Sequence, residues 1–273
     1  MATSDAPVEI GHVALTVRDL DTVGAFYQRA LGLESLSQDG ETLRLGAGGR
    51  LLLELRRDPA ARPSSPREAG LYHTAFLLPA RADLGRWLAH VAEARVPLDG
   101  ASDHLVSEAV YLADPEGNGI EVYVDRPRAE WPMTATGVQM ASDPLDYPGI
   151  LAAGAGSRWA GMPEDSAIGH VHLRVGALEG TEDFYGKTLG MALTTRFPSA
   201  NFFGSGGYHH HIGANIWQSR GAGRRAPGGT GLAEVVMRAD PAELAAIAER
   251  AGMAPGRLAL QDPWGSAITV AAK

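Results

Sequence analysis

Nine histidines and no cysteine in 273 residues narrow the chemistry open to this chain. Thiolate metal sites, disulfides, iron–sulfur clusters and cysteine nucleophiles are excluded together, so any metal must be held by His, Asp or Glu. Three histidines, His12, His73 and His170, each sit near the start of a predicted strand. One such residue reads as a buried, hydrogen-bonded imidazole. Three at like places, with Glu121 in step on a later strand, read as a nitrogen and oxygen site for a divalent cation. Glu54, in a leucine-rich strand, has two readings, a ligand or an outward-facing solvated carboxylate. The run His209-His210-His211 adds three imidazoles. Strand alternation puts His209 and His211 on one face and His210 on the other, where it reads as structural. His172 shares a face with His170 and is expected near the same pocket, whereas His90 on a helix and His104 in a loop read as solvated or capping groups.

The elements that must carry these residues are repeated. Ile10-Gly11-His12-Val13 recurs as Ile168-Gly169-His170-Val171, Phe26-Tyr27 as Phe184-Tyr185 and Leu31-Gly32 as Leu189-Gly190, all at an offset of 158 residues. Asp114-Pro115-Glu116-Gly117 is echoed by Asp262-Pro263-Trp264-Gly265. Within each half the pattern runs strand, helix and several short strands, twice over. Helices are predicted over about 21–31, 82–94 and 241–251, the first ended by Gly32 and the last begun by Pro241. The domain reading is therefore 1–125 for an N-terminal pair of modules, 126–167 for a proline-bearing connector and 168–273 for a C-terminal pair.

Composition excludes several classes. With 45% hydrophobic residues the chain can fill a core, and no apolar run is long enough for a membrane span. Twenty-four basic residues against 32 acidic ones give a formal charge of −8, which argues against nucleic acid as a partner. Arg220, Arg224 and Arg225 form one local basic stretch, read as a solvated loop. Residues 1–7 have neither a basic n-region nor an apolar h-region, so a cytoplasmic protein is expected.

Four βαβββ modules in two tandem pairs resemble the vicinal oxygen chelate superfamily, which includes glyoxalases, bleomycin resistance proteins and extradiol dioxygenases. The segments Gly70-Leu71-Tyr72-His73, Asp114 to Glu121, Asp125-Arg126-Pro127, Gly169-His170-Val171-His172-Leu173 and Gly207-Tyr208-His209-His210-His211 resemble its two-domain, catechol 2,3-dioxygenase-like branch. The resemblance implies an α+β fold in which pairs of modules curl into incomplete barrels around a metal. It also implies oxidoreductase chemistry in aromatic catabolism, with a small catechol-type substrate, O₂ and Fe(II). Mn, Ni or Zn are the alternative metals, and homo-oligomerisation stays open.

Two pairings compete for the site. Modules one and two together would offer His12, His73 and Glu121 with Glu54, a set similar to glyoxalase I, which implies a metal-dependent lyase or isomerase as the alternative activity. Modules two and three would offer His73, Glu121 and His170, a set similar to the extradiol dioxygenases. The second assigns more residues: Tyr111, ten before Glu121, would hydrogen-bond the substrate, and His211, with His209 on the same face, would be the acid–base histidine. A metal-free binding protein is the non-enzymatic alternative. Trp217, Phe202, Phe203 and Trp264 are expected either to line the pocket or to fill the core.

Overall fold

The structure, a computed structural model, describes residues 5–135 and 137–273. Module one supplies β1 (Val8–Val17), α1 (Leu20–Phe26), β2 (Glu34–Gln38), β3 (Thr42–Ala47) and β4 (Arg50–Arg57). Module two supplies β5 (Gly70–Leu78), α2 (Arg81–Glu93), β6 (Gly100–Asp103), β7 (Ser107–Ala113) and β8 (Gly119–Asp125). The connector contains β9 (Met133–Thr134), β10 (Gly137–Val138) and α3 (Tyr147–Ala153). Module three contains β11 (Ala167–Arg174), a π-helical segment (Glu182–Thr188), β12 (Ala192–Phe197), β13 (Ala200–Gly204) and β14 (Ile212–Asn215). Module four contains β15 (Gly231–Ala239), α4 (Pro241–Arg250), β16 (Leu258–Gln261) and β17 (Ala267–Ala272).

The fold is α+β with two curled sheets. One runs β12-β13-β14-β11-β5-β8-β7-β6 and joins modules two and three; the other runs β16-β17-β15-β1-β4-β3-β2 and joins modules one and four. At the centre of each, the first strands of two modules pair antiparallel, β11 with β5 and β1 with β15. The sheets meet where β1 packs on β11, and their apolar faces share one continuous core with α1, α2 and α4.

Helix positions follow the sequence closely. The first helix starts at Leu20, its last five residues wind as a π turn, and Gly32 closes it at φ 72°, a left-handed conformation that a Cβ disfavours. The connector helix α3 was not expected from its short, glycine-containing sequence. It forms because Asp146 caps it and because Gly85 and Gly154 let α2 and α3 cross backbone against backbone.

The repeated Ile-Gly-His-Val segment is a β-bulge. Ile168, Val171 and Leu173 of β11 enter the core, so uninterrupted alternation would bury His170 beside Ile168. The pairing with β5 shifts register between Ile168 and His170, which turns His170 and His172 to the concave face. The same shift occurs between Ile10 and His12 in β1. At Gly169 the glycine has a second reason: a Cβ there would overlap the Tyr123 hydroxyl and press on Leu77. The repeated tyrosines also act alike. Tyr27 reaches the Asp114 carboxylate (3.3 Å) and Tyr185 that of Asp262 (2.8 Å), so the helical segment of one module is tied to the turn of the next.

Gly169→Ala is expected to lower stability by about 1–3 kcal/mol through overpacking, measured by urea unfolding, with the Tyr123 ring signals shifted in NMR spectra.

Candidate metal centre

In the sheet shared by modules two and three, strand parity delivers every second residue to the concave face. On β8, Ile120, Val122 and Val124 join the core, leaving Glu121, Tyr123 and Asp125 on the other side. On β5, Phe76 and Leu78 join the core while His73, Ala75 and Leu77 face inward. The β7–β8 hairpin, closed by the Asp114-Pro115-Glu116-Gly117 turn, puts Tyr111 directly opposite Glu121. Asp114 holds that turn by accepting from the Glu116 and Asn118 amides at 2.9 Å.

His73, Glu121 and His170 converge, with one donor atom from each lying within 4.8 Å of the others. Both imidazoles present Nε2 to the same carboxylate oxygen, at 3.0 Å from His73 and 3.2 Å from His170. All three are buried, and His73 Nε2 makes no hydrogen bond of good geometry among the described residues. Burial holds the His170 pKa down to about 4, against the pull of Glu121, so near neutral pH its ring is uncharged and offers a lone pair. Burial pushes Glu121 up, but the facing imidazoles of His170 and His73 more than offset it and hold the carboxyl well below its ordinary range. Two imidazoles and a carboxylate, buried and converging on one place, fit a divalent cation.

The triad opens into a cavity of about 510 Å³. Tyr111 and His104 meet there, with His104 Nε2 2.5 Å from the Tyr111 hydroxyl and Nδ1 2.6 Å from the Ala141 carbonyl. A carbonyl only accepts, so Nδ1 carries the proton in the neutral ring and Nε2 accepts from Tyr111. Burial first, and then Glu121, raises the Tyr111 pKa far above its ordinary value, so the phenol keeps its proton. Tyr72, Phe202 and Trp217 form the apolar wall, and Met140, Ala141 and Ser142 of the connector complete it. Phe203 and Trp264, by contrast, belong to the core.

Three expectations change on this geometry. The loop residue His104 is a cavity residue, a role marked in sequence only by its place between β6 and β7, just ahead of Tyr111. His210, not His211, lines the cavity, its ring centroid 4.1 Å from that of His170. Residues 208–211 precede β14 as irregular chain, so strand alternation does not govern which way they face. His211 is enclosed, accepts the Ser205 amide at Nδ1 (3.1 Å), and is held by burial at a pKa of about 3; His209 is likewise fully buried. His90 instead sits outside the cavity, bonded to the Arg29 carbonyl (2.8 Å).

The alternative set, His12 with Glu54, lies in the other sheet and is not brought to His73. Its carboxylates already hold cations. Arg56 bridges Glu54 (2.7 Å) and Glu234 (2.8 Å), and Arg44 adds a second contact to Glu54 (2.8 Å). Thr269, in the place that Glu121 has in the first sheet, donates to Glu234. Among the described residues, His73, Glu121 and His170 form the one such metal-competent group.

The family profile described as Glyoxalase/Bleomycin resistance protein/Dioxygenase superfamily matches residues 9–122 and 167–270. The chain belongs to this superfamily. The two matched stretches are the two halves that the repeat offsets mark, and the unmatched residues between them are mostly the connector. Within the superfamily, the chain is 40% identical to catechol-2,3-dioxygenase of Bacillus subtilis (strain 168) over 237 residues, 85% of this chain and 83% of that protein. A solved Bacillus subtilis structure superposes with a TM-score of 0.64 at 16% identity, covering 97% of this chain and 84% of that one. Glyoxalase I from Zea mays superposes with a TM-score of 0.56 at 16% identity, covering 96% and 92%. These two likenesses speak to the superfamily fold alone. No helix among the described residues is long and apolar enough to cross a membrane.

Glu121→Gln and His170→Ala are each expected to weaken metal binding on the order of 100-fold or more, read by elemental analysis after dialysis, while His12→Ala and Glu54→Gln leave the content unchanged. Arg56→Met is expected to cost about 1–2 kcal/mol at pH 7, a figure reduced for the part-exposed guanidinium. Burial raises the Glu234 pKa, but Thr269 and Arg56 lower it more, so the folded value lies below the unfolded one. The Arg56 contribution is therefore present above the unfolded carboxyl pKa and lost as pH falls through the folded one; urea midpoints of wild type and variant should converge in acid.

Proposed function

We propose that this protein is a non-haem Fe(II) extradiol dioxygenase that cleaves a catechol-type ring with O₂. The observation that carries the reading is the convergence of His73, Glu121 and His170 at the floor of an aromatic-walled cavity that also presents Tyr111, His104 and His210. Two imidazoles and one carboxylate on one side of a cation leave adjacent positions for both catechol oxygens and for dioxygen. The similarity to a catechol-2,3-dioxygenase supports the same reading. When bound, the iron would supply the redox chemistry that links an electron-rich catecholate to O₂.

The protein side of the reaction is binding, orientation and proton handling. Tyr72, Phe202 and Trp217 would pack on the substrate ring and keep bulk water out. Tyr111 donates its hydrogen bond to His104, so its oxygen lone pairs are free to accept from a substrate hydroxyl. His104 is held by the Ala141 carbonyl of the connector, which thereby sets the angle of the Tyr111 contact. His210, next to His170, would take and return a proton at the substrate; its burial lowers its pKa well below the ordinary value, so the neutral form prevails at pH 7. His172, two residues past His170 on the same face, lines the cavity with its Nε2 unpartnered among the described residues and would meet the substrate edge.

Protein loaded anaerobically with Fe(II) and then given a catechol panel and air is expected to form a yellow ring-cleavage product with matching O₂ uptake. No colour and no uptake in protein shown to hold iron would overturn the assignment. In the active enzyme Tyr111→Phe is expected to lower kcat on the order of 100-fold with iron content unchanged.

A further inference from the structure

The proposed reaction uses the triple histidine at one residue and leaves the Asp125-Arg126-Pro127 segment without a role. The structure joins the two. His210 Nδ1 lies 2.8 Å from His209 Nδ1, and His209 Nε2 lies 2.8 Å from Asp125 Oδ1. The Tyr208 hydroxyl donates to the same carboxylate (3.0 Å), and the Tyr123 hydroxyl lies 2.6 Å from that of Tyr208. His209, Tyr208 and Tyr123 are fully enclosed, and the Asp125 side chain is 9% exposed.

Proton directions along this chain follow from what each group can do. A carboxylate accepts, so the His209 Nε2 that faces Asp125 carries a proton, and a ring with that one proton is bare at Nδ1. The Nδ1 to Nδ1 contact then requires the proton of His210 on its Nδ1. His210 is left bare at Nε2, the nitrogen with no protein partner among the described residues, on the one ring of the three that lines the cavity. Tyr208 spends its proton on Asp125, so Tyr123 donates to Tyr208, and every group in the line is satisfied in one direction.

We propose that Asp125 and His209 are positioning residues for His210. They hold its ring in place and lock the tautomer in which Nε2 offers a lone pair to a substrate hydroxyl. The proposal rests on the reading of the cavity as a catechol site. It gives the irregular chain at 208–211 a reason: an ordinary strand would turn His209 and His211 the same way, whereas here the middle imidazole faces the cavity and His209 stands behind it. It also accounts for Gly169, whose missing Cβ lets the Tyr123 hydroxyl reach the far end of the line. Asp125 also borders an outer groove with Arg126 and Arg128, so the line runs from the cavity along the concave face toward the C-terminal end of β8.

Asp125→Asn tests this in the iron-loaded enzyme. Tyr208 will donate to the amide oxygen, the amide NH₂ will face His209 Nε2, and both imidazole protons must move to the other nitrogen, leaving His210 with Nε2–H toward the substrate. The expected result is a kcat lowered on the order of 100-fold with KM and iron content unchanged, and recovery of part of the loss in Asp125→Glu, which restores an acceptor. Imidazole ¹⁵N spectra of zinc-loaded protein give a readout independent of turnover: His210 should be Nδ1–H in the wild type and Nε2–H in Asp125→Asn. A wild-type His210 protonated on Nε2, or an Asp125→Asn enzyme with wild-type kcat, would overturn the proposal. A wild type that cleaves no catechol overturns the functional reading instead, and the spectra still judge the tautomer.

Discussion

The antiparallel pairing of β5 with β11 is the constraint on which the site depends. Neither module two nor module three contains three converging ligand atoms. Module two has His73 and Glu121, and module three has His170. Their first strands must lie side by side, in a register that sets His73 opposite His172 and brings His170 within reach of Glu121. The Gly169 bulge completes this, because without the extra residue the apolar alternation that anchors β11 in the core would carry His170 into the core with it.

The two sheets show what one scaffold does with and without an open centre. Where the sheet of modules two and three presents buried imidazoles around one carboxylate, their donor atoms converge on a place that fits a cation. The sheet of modules one and four has Glu54, Glu234 and Thr269 near His12, and there the positive charge is covalent: Arg56 reaches in and joins the two carboxylates. A guanidinium with fixed donors closes the centre to substrate, since it leaves no exchangeable positions. The difference rests on a few side chains and not on the backbone, which repeats from one sheet to the other, bulge included.

Much of the site was legible where regular strand geometry applied. Glu121 followed from strand alternation; Tyr111 followed from the family resemblance, and the hairpin's tight turn is what makes those ten residues of sequence a direct cross-strand pair. His73 and His170 followed from the repeat. What escaped reading lies outside periodic structure. His210 stands in an irregular segment where no alternation rule holds, so the sequence pointed to its neighbour His211. His104 stands between two strands, and its partner Ala141 is 37 residues away in the connector, a contact that no local pattern encodes.

By itself, the sequence determined the α+β class, the repeat that runs through the chain, the absence of thiolate ligands and a short set of candidate ligands in which His12 and His170 competed. These are local properties, carried by composition, period and turn chemistry. Only the tertiary structure decided that modules two and three share a sheet, that Arg56 fills the other centre, and that His210 faces the cavity with His209 and Asp125 behind it. Those outcomes depend on contacts between segments far apart in the chain, where packing and hydrogen-bond satisfaction, and not periodicity, choose which side chain meets which.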